Sequence, residues 1–244
     1  MDTIKISKLL SEAGIASRRK AETLVTQGLI FVNGKKMADP ARRIDPATDK
    51  VTYAGRIIKP QANVYYLLYK PVGYTSTTED AHAKKLITQL VPKEPKVWPV
   101  GRLDKYTSGL ILVTNDGDIT QKLTHPSYEI EKEYEIATNE PLAEGDILAI
   151  QRGVRLEDGF IRPNRFEVTG GKLYRIVIHS GKKRVVRRII EKTGKAVAQL
   201  KRTRIDFLVL GNLHPGEWRR LTAEEIKKLS ENKTQKPGNP TKPL

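Results

Sequence analysis

The sequence predicts an α+β protein in which a small N-terminal module precedes a larger domain built on a mixed, mainly antiparallel sheet with flanking helices. Two observations predict this class. Short segments typical of strands outnumber those with helical spacing, and the helical segments are scattered between them. The segment 59–63, Lys-Pro-Gln-Ala-Asn, has the composition of a linker. We therefore expect a module at 1–59, a domain at 60–230 and a disordered basic tail at 231–244.

Composition limits the partners of the chain. It has 244 residues, a formal charge of +16 and no cysteine, which excludes disulfides, thiolate nucleophiles and Cys-ligated zinc. So strong a positive charge favours an anionic partner, and nucleic acid is the leading candidate. An acidic membrane surface is the rival, but there is no apolar run of about 18 residues. The N-terminus lacks the apolar core of a signal peptide, so we expect a soluble cytoplasmic protein.

The module at 1–59 is predicted to hold two helices and a hairpin. Apolar residues recur at helical spacing in the first helix, which Gly14 ends; they are Ile6, Leu9, Leu10 and Ala13. Ser17 is the expected N-cap of a second helix that runs to Gly28. Asn33-Gly34 predicts a type I′ turn between strands at 29–32 and 35–37, and 51–53 is a further short strand.

The same module is basic, with 12 Lys/Arg against 6 Asp/Glu in residues 1–59 and hence a net charge of +6. Arg18, Arg19 and Lys20 stand together at the start of the second helix, and Lys35 and Lys36 lie in the hairpin. A single charge run is often only a solvated helix end. Two basic groups in one small module instead favour a face that contacts phosphates.

The domain at 60–230 is predicted to alternate strands with short helices. The expected strands are 64–69, segments on both sides of Asp104 within 97–113, 134–137, 173–178 and a final strand at 202–210. The expected turn is 115–118, and the expected helices are a short one starting at 119–123 and one at 185–192 closed by Gly194.

Asp104 is the first candidate for chemistry because it is a lone carboxylate among cations, just before an apolar strand. If 102–104 is extended, Arg102 and Asp104 point to one face and Leu103 to the other. A guanidinium beside the carboxylate would keep it ionised and oriented. The alternative is a structural Arg–Asp pair in a loop.

A second candidate is the basic stretch from Ile178 to Arg204, with ten Lys/Arg against one Glu and hence a net charge of +9. On a helix, Arg184, Arg187 and Arg188 would share one face. Such a stripe either grips phosphates, sends one arginine to an active-site carboxylate, or is only a solvated basic face.

Tyr134 follows charged residues on a strand, where it is either a half-buried core residue or a ring that stacks on a base. The sequence gives no metal site, because its histidines show no metal-ligand spacing; they are His82, His125, His179 and His214. It also has no phosphate-binding loop and no dinucleotide-binding glycine motif.

Taken together, these segments resemble the bacterial rRNA pseudouridine synthases over roughly residues 4–225. The most specific segment is Gly-Arg-Leu-Asp-x-x-Thr-x-Gly-Leu at 101–110, and residues 4–59 resemble an S4 RNA-binding domain. Within the family, the chain is most similar to the small-subunit-type branch, which includes large-subunit enzymes of the B and F kind. Further similar segments are 69–74, 125–127, 131–134 and 216–219.

The resemblance implies roles for individual residues. Asp104 matches the family's essential aspartate, Tyr134 its active-site tyrosine and Arg187 the arginine that pairs with the aspartate. Leu200 matches an apolar residue that lines the base pocket. The remaining expected substrate contacts are Arg102, Lys182, Arg184 and Arg188. Lys183 and Val185 stand where the family usually has Asn and Gln, a departure that concerns the substrate contacts and not the aspartate.

The implied reaction isomerises a uridine in ribosomal RNA, 23S more than 16S, and requires no metal or redox cofactor because no external reagent is consumed. The expected partner is rRNA, free or in a pre-ribosomal particle, and the expected state is a monomer that does not bind membranes. Asp104 would attack a carbon of the sugar or of the base, and the residues do not decide which. The alternative function is a non-catalytic RNA-binding protein of ribosome assembly on the same scaffold.

Overall fold

The computed structural model describes residues 3–78 and 84–231, so the predicted tail lies outside the described residues except for Glu231. The chain forms two compact units. The first comprises Met1–Val64, Glu94–Lys96 and Asn115–Gly117, and the second comprises Tyr65–Lys93, Val97–Thr114 and Asp118–Leu244.

The first unit contains the helices and the hairpin that the sequence predicts. Its elements are β1 (Ile4–Lys5), α1 (Ile6–Glu12), α2 (Arg18–Thr26), β2 (Ile30–Val32), β3 (Lys35–Met37), β4 (Arg43–Ile44), β5 (Val51–Tyr53) and β6 (Arg56–Ile57). The hydroxyl of Ser17 accepts from the backbone N–H of Lys20, as an N-cap does. Asn33 and Gly34 both have positive φ, at 51° and 79°, which is the geometry of a type I′ turn.

The second unit is built on one large sheet. Its elements are β7 (Tyr65–Lys70), β8 (Trp98–Pro99), β9 (Ser108–Thr114), α3 (Gly117–Thr124), β10 (Lys132–Thr138), α4 (Glu144–Arg152), β11 (Val154–Leu156), β12 (Gly159–Ile161), β13 (Arg165–Gly170), β14 (Leu173–Ile178), α5 (Val185–Glu191), β15 (Val197–Ile205), β16 (Leu208–Val209), β17 (Trp218–Arg220) and α6 (Ala223–Glu231). The main strand order is β13-β14-β10-β15-β9-β7-β17. Along this order only the β15–β9 pair is parallel, so the predicted mixed, mainly antiparallel sheet is confirmed.

The parallel pair is close because of one glycine. Gly109 has a φ of +104°, and a Cβ there would lie 2.2 Å from the backbone oxygen of Arg202. A side chain at this position would therefore push β9 away from β15. Because Gly109 has no side chain, the loop that precedes β9 can lie beside β15.

Three sequence predictions need correction. The predicted final strand at 202–210 is a hairpin, because Asp206 adopts the left-handed region (φ 54°) and reverses the chain between β15 and β16. The final strand is instead β17, which pairs with β7 at the sheet edge. The predicted turn at 115–118 is shorter, since α3 already begins at Gly117.

Candidate active site

A cleft of about 260 Å³ in the second unit brings together six of the predicted site residues. Its walls come from the loop before β9, the strands β10 and β15, and the segment that leads into α5. The predicted residues that line it are Arg102, Asp104, Tyr134, Lys182, Arg184 and Leu200. Arg187 and Arg188 do not line it. Segments far apart in sequence thus meet around one carboxylate.

Asp104 lies in the irregular loop before β9 with the alternation that the sequence predicts. Arg102 is exposed, Leu103 is buried in the core and Asp104 is half-buried at the cleft wall. The hydroxyl of Ser76 accepts from the backbone N–H of Leu103 and donates to its carbonyl oxygen. These two bonds hold the backbone at Leu103, next to Asp104 in the cleft wall.

Lys70, at the end of β7, holds the loop that carries Asp104. Its side chain is fully buried, and its ammonium donates to the carbonyl oxygens of Asp104 (3.2 Å), Lys105 (3.4 Å) and Thr107 (2.7 Å). Burial lowers the pKa of Lys70 to about 8, an effect that the charge of Asp104 opposes. In the sequence, Lys70 is only one residue of the family-like segment 69–74. Its buried position, which periodicity does not reveal, gives it this role.

Arg187 supports the same loop from α5. Its guanidinium donates to the carbonyl oxygens of Tyr106 (2.7 Å) and Val197 (3.1 Å). Burial and the charge of Arg184 lower the pKa of Arg187, whereas the charge of Asp104 raises it. The guanidinium therefore lies within electrostatic reach of the aspartate, while its hydrogen bonds link the Asp104 loop to the start of β15.

Tyr134 and two cations form the inner part of the cleft. Tyr134 is buried at 8% exposure, and Arg202 at 3%. The guanidinium of Arg202 donates from Nε to the carbonyl of Leu110 (2.8 Å), and its Nη2 atom is buried with no hydrogen-bond partner among the described residues. Lys132 donates to the carbonyl of Ile130 (2.9 Å), and burial, followed by the charge of Arg202, lowers its pKa to about 8.

Sequence reasoning missed these two cations. Lys132 lies two residues before Tyr134 on β10, and Arg202 lies two residues after Leu200 on β15. Side chains two apart on a strand point to the same face. Strand alternation, applied to the two residues that the resemblance had already selected, would have found both.

The comparisons with known proteins identify the family. Residues 64–192 match the family model described as RNA pseudouridylate synthase, and residues 4–51 match the S4 domain. A Bacillus subtilis protein named ribosomal large subunit pseudouridine synthase B is 38% identical over 92% of this chain and 95% of its own length. An Aquifex aeolicus protein named as an uncharacterized RNA pseudouridine synthase is 37% identical, with 94% of each chain covered. The chain belongs to the RNA pseudouridylate synthase family.

A solved structure agrees with this assignment. A crystal structure of a pseudouridylate synthase is 27% identical, has a TM-score of 0.67 and covers 93% of this chain and 99% of its own. The chain is accordingly a pseudouridine synthase with an N-terminal S4 domain. None of the helices in the described part is long and apolar enough to cross a membrane.

The basic face predicted on the synthase's helix α5 is not formed. Arg184 precedes the helix in the left-handed region (φ 52°) and pairs with Glu191 (3.0 Å). Arg188 makes two hydrogen bonds to the carboxylate of Asp158 (2.9 and 3.0 Å), which raises its pKa. Lys182 also donates to the backbone oxygen of Asp158. The predicted single stripe was wrong because Arg184 lies outside the helix. Of the other two, Arg187 binds the backbone oxygens of Tyr106 and Val197, and Arg188 binds the carboxylate of Asp158.

The S4 domain of the synthase presents its predicted cations to solvent. Arg18, Arg19 and Lys20 are exposed in the first turn of α2, and Lys35 is exposed at the start of β3. Their exposure leaves them accessible to phosphates.

In residues 3–78 and 84–231, no group of three or more His, Asp or Glu side chains is arranged to hold a metal ion. His82 lies outside the described residues.

Proposed function

We propose that this synthase converts one specific uridine of 23S ribosomal RNA to pseudouridine, with Asp104 as the catalytic carboxylate and without a cofactor. The observation that carries the proposal is the half-buried Asp104 in a cleft that also holds Tyr134 and Leu200. The name of the Bacillus subtilis relative supports the large-subunit substrate. The substrate is free 23S rRNA or a pre-ribosomal particle, and the enzyme acts as a cytoplasmic monomer.

The reaction conserves all atoms. The N1–C1′ bond breaks, the uracil turns, C5 bonds to C1′, C5 loses its proton and N1 gains one. Asp104 attacks a carbon of the sugar or of the base, and the bond that it forms breaks again as pseudouridine is completed, which regenerates the carboxylate. Arg102 lines the cleft beside it, and Arg187 holds its loop through the carbonyl of Tyr106. Tyr134 and Leu200 hold the detached uracil between an aromatic and an apolar surface. The cationic Lys132 and Arg202 favour a uracil that carries negative charge.

The S4 domain offsets the cost of exposing the target. Taking a uridine out of its stack costs a few kcal/mol. Arg18, Arg19, Lys20 and Lys35 bind phosphates without reading sequence, and this binding is weakened by salt. Within the second unit, Lys182 and Arg184 line the cleft and bind the phosphates next to the target nucleotide.

Tritium release from transcripts of 23S and 16S rRNA labelled at uridine C5 tests the proposal. We expect release from 23S rRNA alone, and carbodiimide-blocked primer extension should then map a single position that is unmodified in a deletion strain. Release from 16S rRNA only would show that 16S rRNA, and not 23S rRNA, is the substrate. Release from neither RNA, free or in a 50S precursor particle, would exclude rRNA as the substrate.

We expect the turnover number to fall on the alkaline side with an apparent pKa of about 8. Lys70 and Lys132 each have a pKa of about 8 in the folded protein and are protonated below it. Deprotonation weakens the hold on the Asp104 loop and removes positive charge from the cleft, so the rate is high below pH 8 and low above it. Tritium release from about pH 6 to about pH 10 measures this profile. A flat profile through pH 8 contradicts it.

Replacing Tyr134 with Phe is expected to lower the turnover number roughly tenfold, the value of one hydrogen bond, with little change in KM. The variant keeps the ring that packs on uracil and loses only the hydroxyl, which assists proton movement from C5. Single-turnover tritium release is the measurement. Tyr174→Phe is the matched control, because that hydroxyl binds the backbone N–H of Leu142 (2.7 Å) and does not line the cleft.

A further inference from the structure

Tyr106 is an exposed aromatic residue on the loop of the catalytic aspartate. Its side chain is 64% exposed, in contrast to Tyr134 at 8%. Tyr106 does not line the catalytic cleft. Its Cα lies at most about 7 Å from that of Asp104, because only Lys105 separates the two residues along the chain. The ring is thus near the carboxylate but outside the cleft in which the target uracil is proposed to bind.

The backbone that carries Tyr106 is rigidly held. Its carbonyl accepts from Arg187 (2.7 Å), and the neighbouring carbonyls of Lys105 and Thr107 accept from Lys70. The carbonyl of Lys105 also accepts from the backbone N–H of Gly73 (2.8 Å). These bonds hold the backbone from which the exposed ring projects. Because only two side-chain torsions of Tyr106 remain to be ordered, stacking of a flat ligand on the ring loses little conformational entropy.

Tyr106 also forms part of a second groove, of about 990 Å³, in the same unit. The groove shares Arg184 and Leu200 with the catalytic cleft, so the two are adjacent. Its charged lining is mainly cationic, with one carboxylate; the residues are Glu135, Arg175, Arg184, Arg187 and Lys201. The ammonium of Lys105 lies 5.9 Å from the ring centroid of Tyr106. An aromatic surface among cations is the usual binding surface for unpaired nucleotides.

We propose that Tyr106 forms a second base-binding site, which stacks the base of a nucleotide adjacent to the target uridine while the uridine occupies the cleft. The proposal rests on the proposed function, since it assumes that an RNA strand enters the cleft at Asp104. The adjacent phosphates then lie towards Lys105 and the groove. Because stacking is tolerant of base identity, this site sets the register of the strand and not its sequence.

Binding of a defined RNA hairpin tests this site. The probe has a single uridine at the centre of a loop of adenosines, and binding is measured by fluorescence anisotropy in an Asp104→Asn background to prevent turnover. We expect Tyr106→Ala to weaken binding roughly tenfold, within the range of base–aromatic stacking. Tyr106→Phe should bind like the parent. Both variants should unfold at the parent's temperature, because the ring is largely exposed.

A double-mutant cycle that combines Tyr106→Ala with an abasic nucleotide in the RNA separates the loss of stacking from other causes of weaker binding. Removing the base on one side of the uridine, 5′ or 3′, should weaken binding to the parent roughly tenfold but should not weaken binding to Tyr106→Ala further. Equal affinities for parent and Tyr106→Ala, or additive effects at both positions, would overturn the proposal. Tritium release by wild-type enzyme on rRNA is measured separately, so failure of the proposed function is distinguishable from failure of this site.

Discussion

The variant Asp104→Asn is expected to lose tritium release from rRNA by roughly a thousandfold or more, the scale on which removal of a catalytic group acts. The amide has nearly the same shape as the carboxylate but is neither a nucleophile nor a base at neutral pH. The loop should keep its position, because its backbone oxygens are held by the buried Lys70. Binding of RNA is therefore expected to persist.

Two comparisons make this result specific. Glu144→Gln neutralises an exposed carboxylate in the first turn of α4 and should leave activity unchanged. Filter binding of 23S rRNA should give Asp104→Asn an affinity equal to or above that of the wild type, since a negative charge near phosphates has been removed. Full activity of Asp104→Asn would refute the role assigned to Asp104.

The second large effect is expected for Lys70→Met. The variant removes the donor that three loop carbonyls share, and we expect the turnover number to fall roughly a hundredfold, as happens when a catalytic group is displaced by about 1 Å. Stability should fall by about 1–3 kcal/mol, the cost of buried oxygens left without donors. Breaking a buried ion pair costs about 3–5 kcal/mol of unfolding free energy. The loss for Lys70→Met should be smaller, because burial already disfavours the charged ammonium in the parent.

Urea unfolding and single-turnover tritium release measure the two consequences separately. Lys192→Met is the control, since this lysine is exposed at the end of α5 and its loss should change stability by less than about 0.5 kcal/mol. A Lys70→Met enzyme of unchanged stability and turnover would show that the loop holds its position without the ammonium.

Local signals in the sequence predicted much of the fold. The cap at Ser17, the Asn33-Gly34 turn and the strand at 173–178 each depend on residues close in sequence, and each is confirmed. The hairpin after Ile205 was missed because its turn depends on a left-handed Asp206, in a segment whose alternation also fits one long strand. The helices α4 and α6 were not predicted, although both begin with acidic residues typical of a first helical turn.

The candidate site was predicted in part. The resemblance selected Asp104, Tyr134 and Leu200, and the cleft brings these three together. What sequence could not show is burial, which turns Lys70 into a support for the loop and leaves a nitrogen of Arg202 without a hydrogen-bond partner in the described part of the chain. Arg184 was misplaced because the spacing argument counted it as a helical residue, whereas the helix begins one residue later, at Val185.

The parallel pairing of β9 with β15 determines when the enzyme becomes competent during synthesis. Ser108 pairs with Lys201, so the two sides of the catalytic cleft come from segments that leave the ribosome far apart in time. A nascent chain that stops before Val197 already carries the aspartate but lacks the strand with Leu200 and Arg202. Such a long-range contact forms slowly. Activity therefore arises only after β15 has been synthesised, and truncations that remove β15 should be inactive even with an intact S4 domain.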